Sequence, residues 1–492
     1  MLFSTPPFLY GFLPLVLAGY FVATWIGKVS GFGQRPRNIF LLLASLFFYA
    51  YGEKDKLALM IMSIAVNWAV GLWVERARGL RSPAGPARGE ASIALFLGLA
   101  FNVGLLGYFK YANLAVESWN ALNDPTWAVR GWAEVALPIG ISFYTFQAMS
   151  YLVDVYRGDV RAQRDPLDFG LFISLFPQLI AGPIVRYRDV AAQIAARHVD
   201  LALFASGARR FLIGLCKKVI IADPTAALAM TIFDLPQESL SPALAWLGLA
   251  AFTVEAYYDF SGYSDMAIGM GRMLGFRFLE NFNWPLVSQS LNEMWRRWHI
   301  SLGSWFRDYV YVPLGGNRVG SVRTYINLLI VFVLCGLWHG ANWNFALWGL
   351  WQGLFMVLER RRFGRWLVAA PRVLRHVYVM AVWNLGWVLF CFDDLASSGR
   401  YAQALVSGAS GAEASFQWAR LVDNHVATLL VLGALGATPW VPALARRLET
   451  QRLRPYLPFV RVAAILGLGV ASVVALAAAA GATATPFLYF RF

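Results

Sequence analysis

Phe8-Leu9-Tyr10-Gly11-Phe12-Leu13-Pro14-Leu15-Val16-Leu17-Ala18-Gly19-Tyr20-Phe21-Val22-Ala23-Thr24-Trp25-Ile26 runs without a single charged side chain. A helix of about 20 such residues spans the hydrocarbon core of a bilayer, so the run reads as a membrane-crossing helix. Leu57 to Val74, Ser92 to Ala112, Leu137 to Val155 and Phe459 to Ala480 repeat the pattern. Shorter apolar stretches lie at 39–51, 169–183, 211–232, 244–258, 325–337, 343–358, 378–392 and 426–440. Together they predict an all-α polytopic integral membrane protein with roughly eleven to thirteen membrane segments. Some are short or broken by Pro and Gly, as re-entrant segments are where protein or water satisfies the backbone.

Composition agrees. The chain is 58% hydrophobic and 14% charged, against about 25% charged in soluble domains. No internal repeat and no low-complexity linker divides it, so residues 1–492 read as one membrane domain. Pro83-Ala84-Gly85-Pro86-Ala87-Arg88 is a loop breaker, and residues 400–424 read as a polar connection. Met1 to Pro7 carries no positive charge, which makes the first run a retained span rather than a cleaved leader.

Basic residues set the expected orientation. Lys28, Arg35 and Arg37 follow the first span; Arg76, Arg78, Arg81 and Arg88 follow the third; Arg157, Arg161 and Arg164 follow the fifth. The intervening loops are poor in net positive charge. The positive-inside rule then puts the N-terminus outside the cytoplasm, which in a bacterial inner membrane would be the periplasmic side. The net charge of +14 is read as this topology signal, with attraction of an anionic cytosolic substrate as a second use; no nucleic-acid partner is expected. Cys216, Cys335 and Cys391 are isolated thiols in apolar runs, with no disulfide framework.

Familiar catalytic motifs fail. Gly269-Met270-Gly271 lacks the third glycine of a dinucleotide fingerprint, and there is no Walker A or H-E-x-x-H sequence. Gly262-Tyr263-Ser264 does not continue into a nucleophile elbow. No metal site is expected. Gly271 and Gly275 have the spacing of a helix-packing pair.

What remains is a pair of histidines. Of five in the chain, one closes Glu293-Met294-Trp295-Arg296-Arg297-Trp298-His299 and another sits in Gly336-Leu337-Trp338-His339-Gly340-Ala341-Asn342-Trp343-Asn344. An imidazole takes up or releases a proton near neutrality, and ionisable groups in a membrane mark functional sites. The plainer reading of His339 is a core imidazole bonded to a backbone carbonyl; that of His299 is a solvated interfacial side chain. Asn342 and Asn344 are candidates for orienting His339. His198, His376 and His425 read as surface residues in polar loops. Leu291, Met294, Trp295, Trp298, Leu302 and Trp305 fall on one face of a helix, predicting a continuous amphipathic helix at the interface. Tyr309 to Asn317 reads as an extended piece ending in a glycine turn. Asp259 and Asp265 suggest a cavity, a paired charge or a cap; Arg296, Arg297, Arg307 and Arg318 read as phosphate ligands or interfacial anchors.

Several of these words together resemble the membrane-bound O-acyltransferase superfamily, in its bacterial branch of alginate and other polysaccharide O-acetyltransferases. They are Leu137 to Gln147, Phe176 to Ile184, Asp259 to Asp265, Phe282 to Pro285, Trp295 to Leu302, Trp305 to Asn317, Leu337 to Ala341 and Tyr489 to Phe492. The likeness is densest over about 137–355. It implies a multi-helix bundle with a central tunnel, His339 as the principal catalytic histidine and His299 as its partner. Asn342, Asn344, Asp265, Arg296, Arg297 and Asp308 are the candidate substrate-binding residues.

The resemblance also implies acetyl transfer from a cytosolic thioester to an extracytoplasmic polysaccharide. Acetyl-CoA is the implied donor substrate, and no permanently bound cofactor is expected. Implied partners are the bilayer, a secreted or membrane-anchored serine acetyltransferase and the polysaccharide machinery. His339 would act as general base; His299 would orient the acyl carbonyl, stabilise the oxyanion or pass the proton on. D-alanyl or other acyl transfer from an acyl carrier protein is the alternative. A transporter without bond chemistry is a further one, disfavoured by the missing repeat.

Overall fold

The computed structural model describes residues 1–79, 81–82, 85–86, 88–449 and 454–481. The described residues are helical apart from turns, loops and a two-residue antiparallel pairing of Arg81–Ser82 with Gly85–Pro86. Among the described residues six helices are long and apolar enough to cross a membrane: Pro7–Val29, Lys54–Gly79, Gly89–Leu122, Ser321–His339, Arg372–Phe390 and Arg454–Gly481. A bent pair, Asn424–Gly436 with Trp440–Leu448, would make a seventh. The count therefore falls short of eleven to thirteen. Among the other apolar stretches, Ile141–Arg157 and Trp343–Glu359 are too short at 17 residues, Pro242–Met273 carries acids, and Arg35–Gly52 is diluted by two arginines and an asparagine at its start.

The chain divides into two compact units, Met1–Phe211 with Met266–Leu279, and Leu212–Asp265 with Glu280–Phe492. One boundary runs through the continuous Pro242–Met273 helix. A sequence search for linkers has nothing to find there.

The first unit packs around the rings of Phe8, Phe12, Phe48 and Phe176. Asn102 donates to Asn67 across two of its spans at 2.6 Å, a buried amide pair where lipid offers no hydrogen-bond partner. Ile141–Arg157 is bounded at both ends by left-handed glycines, Gly140 and Gly158. Of the two glycines picked out by spacing, Gly275 ends a helix at φ +84°. The close backbone approach is made instead by Gly269, where a Cβ would lie 2.6 Å from the Gly207 carbonyl oxygen.

The second unit holds both singled-out histidines. Its core is aromatic: Trp298, Trp348, Trp383, Trp387 and Phe390 are buried together. Residues 400–424, read as a polar connection, fold mostly as two amphipathic helices, Leu395–Ser407 and Ala412–Leu421. Tyr401 explains why the first docks: it is buried, and its hydroxyl donates to the Ala245 carbonyl at 2.8 Å. His376 is half-buried on the Arg372–Phe390 helix rather than in a polar loop, with Nδ1 3.1 Å from the Ser288 carbonyl oxygen.

The Ser321–His339 and Trp343–Glu359 helices form a tight hairpin. A Cβ on Gly336 would lie 2.0 Å from the Phe345 carbonyl oxygen, and one on Gly349 2.2 Å from that of Phe332. Backbone atoms cannot yield as a flexible side chain can, so the hairpin requires glycine at both positions. Gly336→Val is expected to lower the melting temperature of detergent-solubilised protein, since overpacking costs about 1–3 kcal/mol or more; an unchanged melting curve would contradict this packing.

Candidate functional site

His299 does not lie within one amphipathic helix. The chain forms Leu291–Arg297, breaks at Trp298 and His299, and resumes as Ile300–Phe306. His299 occupies the break in a left-handed conformation, φ +44° and ψ +54°. A non-glycine residue there stores roughly 1–3 kcal/mol, which surrounding contacts must hold. Those contacts come from residues 281–283. The Ile300 N–H donates to the Asn281 carbonyl at 3.0 Å, and the Asn283 N–H to the Arg297 carbonyl at 2.9 Å. The periodicity of apolar residues is real, yet it continues across a break that only these long-range bonds define. The following segment is also not extended: Arg307–Tyr311 is a helical turn, and the glycine turn comes after it, at Gly315 and Gly316 with positive φ.

The His299 side chain is 1% exposed. Phe260 meets its ring edge-to-face at 4.6 Å, and Nδ1 lies 3.2 Å from Asn281 Oδ1. His339, the last residue of its helix, is 4% exposed. Its ring is surrounded by Trp338 at 4.9 Å, Trp348 at 5.2 Å and Phe390 at 5.6 Å. Trp338 also lies 5.8 Å from His299, so one indole touches both imidazoles. Burial holds His299 well below the ordinary histidine value, and the nearby His339 adds to the shift. His299 is neutral at pH 7.

The other candidates fall into three groups. Asn342 caps the Trp343–Glu359 helix by accepting from the Asn344 N–H at 2.8 Å, and its amide donates to the Asp393 carbonyl. Asn344 donates to the Phe392 carbonyl at 2.8 Å and to Ser398 at 3.1 Å. Both amides tie the helix start to residues 392–398 instead of reaching His339. Asp265 is buried against Lys217 at 2.7 Å, and Asp259 against Lys218 at 2.6 Å. Arg297 pairs with Glu293 at 2.8 Å, and Asp308 with Arg307 at 2.7 Å.

Arg296 is different, because it lines a cavity of about 420 Å³. Exposed Arg296, Arg307, Asn317 and Arg360 stand at its rim, while buried Leu328, Phe332, Cys335 and Met356 line its interior. Cys335 is one helical turn before His339. A basic rim leading to an apolar interior suits a chain with an anionic head. The sequence reading found Arg296 and Arg307 but not Arg360 or Asn317, which lie far apart in the chain and meet only in the fold. It also missed Asn281. The one signal was the amide-rich stretch Asn281-Phe282-Asn283 next to apolar residues.

Two buried imidazoles thus share an aromatic wall in the unit that also holds the basic-mouthed cavity. Residues 141–398 match the MBOAT, membrane-bound O-acyltransferase family. The chain is 44% identical over 432 residues to "Probable alginate O-acetylase AlgI" of Pseudomonas syringae pv. tomato, covering 88% of this chain and 80% of that protein. It is 35% identical to "Peptidoglycan O-acetyltransferase" of Helicobacter pylori, over 82% of this chain and 80% of that one. Similarity to "Teichoic acid D-alanyltransferase" of Bacillus subtilis is 30%, over 44% and 57%. The chain belongs to the membrane-bound O-acyltransferase family and is a multi-pass membrane O-acyltransferase. The terminal motif Tyr489 to Phe492 lies outside the described residues.

The depressed His299 value makes a prediction about stability. The fold favours neutral imidazole, so its contribution is complete above the unfolded value near ~6.5 and is lost as pH falls below it toward the folded value. Melting temperature should therefore decline on acidification below about pH 6.5, and His299→Gln should flatten that slope. Identical slopes for the two proteins would contradict a neutral buried ring.

Proposed function

We propose that this protein transfers acetyl groups from acetyl-CoA on the cytosolic side of the inner membrane to an extracytoplasmic acceptor, supporting O-acetylation of a polysaccharide such as alginate. The observation that carries the proposal is the arginine-rimmed cavity whose apolar interior includes Cys335, one helical turn before His339. Guanidinium forks match phosphate oxygens, and the apolar interior suits the thioester arm. The positive-inside rule assigns the arginine-rich rim to the cytosol and the N-terminus to the periplasm. The AlgI and peptidoglycan relatives, each named for O-acetylation, cover most of this chain; the D-alanyltransferase covers less than half.

In this reading His339 takes the proton of the acceptor hydroxyl as its oxygen attacks the thioester carbonyl. The tetrahedral intermediate collapses with loss of the thiolate, which regains that proton from the imidazolium. Proton transfer of this kind contributes ~10² to 10⁴-fold. Tryptophan and phenylalanine around His339 exclude water that would hydrolyse the thioester. The acceptor is a hydroxyl of the polysaccharide or of a serine acetyltransferase partner outside the cytoplasm.

The test uses full-length protein in lipid with labelled acetyl-CoA and its partner proteins. His339→Ala, inserted at normal level, is expected to reduce CoA release by ~10²-fold or more. Substituting Arg296 together with Arg360 should raise KM for acetyl-CoA with little change in kcat. Full activity of His339→Ala removes the base. Turnover of a carrier-protein thioester but not of acetyl-CoA would move the assignment to the D-alanyl type.

A further inference from the structure

Asn281 is 1% exposed and lies outside every element that carries the two histidines. Three donors converge on its Oδ1: the Ser301 N–H at 3.1 Å, the Ser301 hydroxyl at 2.9 Å and His299 Nδ1 at 3.2 Å. Its Nδ2 donates to Ser264 Oγ at 3.1 Å. A backbone N–H can only donate, so the amide atom facing Ser301 must be the oxygen. A flipped amide would set its NH₂ against that N–H. An amide oxygen can only accept, so the His299 nitrogen facing it must carry a hydrogen.

We infer that Asn281 is a positioning residue that locks His299 as the Nδ1–H tautomer and leaves its Nε2 as a hydrogen-bond and proton acceptor. The inference rests on the reading of this site as an acyl-transfer centre. It chooses among the roles open to His299. A neutral ring with a bare Nε2 receives a proton or a hydrogen bond from a hydroxyl; it cannot donate from Nε2 to a carbonyl or an oxyanion. His299 then stands on the proton-accepting side of the reaction, with His339, rather than in the oxyanion hole.

The surroundings are consistent with this. The titratable neighbour that acts on His299 is His339, whose positive charge would disfavour a second proton on the pair. The two acids that flank Phe260 and Ser264 on their helix are held by lysines, Asp259 by Lys218 and Asp265 by Lys217; Glu255, one turn earlier, is a third buried acid of that helix. Asp259 and Asp265 are thus engaged by lysines, and the polar side chain at His299 Nδ1 is a neutral amide. In many proton-transfer sites a carboxylate holds that position and raises the basicity of its histidine. Here an amide supplies orientation without charge.

Two readouts separate this inference from the function it builds on. The first needs no activity. Protein labelled with ¹³C,¹⁵N-histidine is studied in lipid by solid-state NMR, with the His299 ring assigned by difference from His299→Gln. The expected signature is protonated Nδ1 and bare Nε2; protonated Nε2 with bare Nδ1 overturns the inference even if His339→Ala is inactive.

The second is the pH profile of acetyl-CoA cleavage. Asn281→Asp keeps the accepting oxygen but places a carboxylate on Nδ1–H, which favours the charged ring. Its acidic limb should move up by about one pH unit or more. Asn281→Ala should lower kcat roughly tenfold or more with KM for the donor nearly unchanged, less than loss of a catalytic imidazole. A uniform loss in Asn281→Asp at all pH values, or a change in KM alone, indicates a merely structural amide and overturns the proposal. Should either variant fail to fold, the spectrum of the native protein still decides the tautomer.

Discussion

An imidazole removed from water must be held by the protein, because no solvent remains to orient it or to share its charge. That constraint organises the second unit. His299 stays neutral since burial penalises its cation, and its orientation comes from one amide, Asn281. Meeting that amide demands a left-handed residue at 299 and a break between two short helices. The backbone bonds of 281–283 to 297–300 hold the break in place. Strain at a reactive side chain and the bonds that sustain it are one arrangement.

The second histidine is placed by different means. His339 ends a helix whose hairpin partner approaches so closely that glycines 336 and 349 allow the backbones to touch. That approach brings Trp348 against His339, and Phe390 from the next long helix completes the wall. Aromatic rings are rigid and large, so they enclose the imidazoles without offering a competing nucleophile. The same Ser321–His339 helix lines the neighbouring cavity with Leu328, Phe332 and Cys335. One element thus carries both His339 and part of the wall of the cavity.

Much was legible before any coordinates. Apolar run lengths identified a helical membrane protein, and the two Trp-His words singled out the residues that the fold brings to one indole, Trp338. Other readings failed where the deciding interaction is remote. The 291–305 periodicity is that of one helix, yet the break at His299 depends on Asn281, a residue with no periodic signal. Asn342 and Asn344 stand beside His339 in sequence, but their amides turn to residues 392–398. Asp265, by contrast, carries the paired charge that was among its sequence readings, and what the sequence left open is the partner, Lys217 of another helical segment.

The amino-acid order alone determined the solvent, the helical class, the family likeness and the two imidazoles, because each is a property of local composition or of a short contiguous word. Only the tertiary structure decided which groups face those rings, which arginines share a cavity rim, and which amide lies against Nδ1 of His299. Such features arise when residues distant in the chain approach within hydrogen-bonding reach, and linear spacing carries no record of that approach.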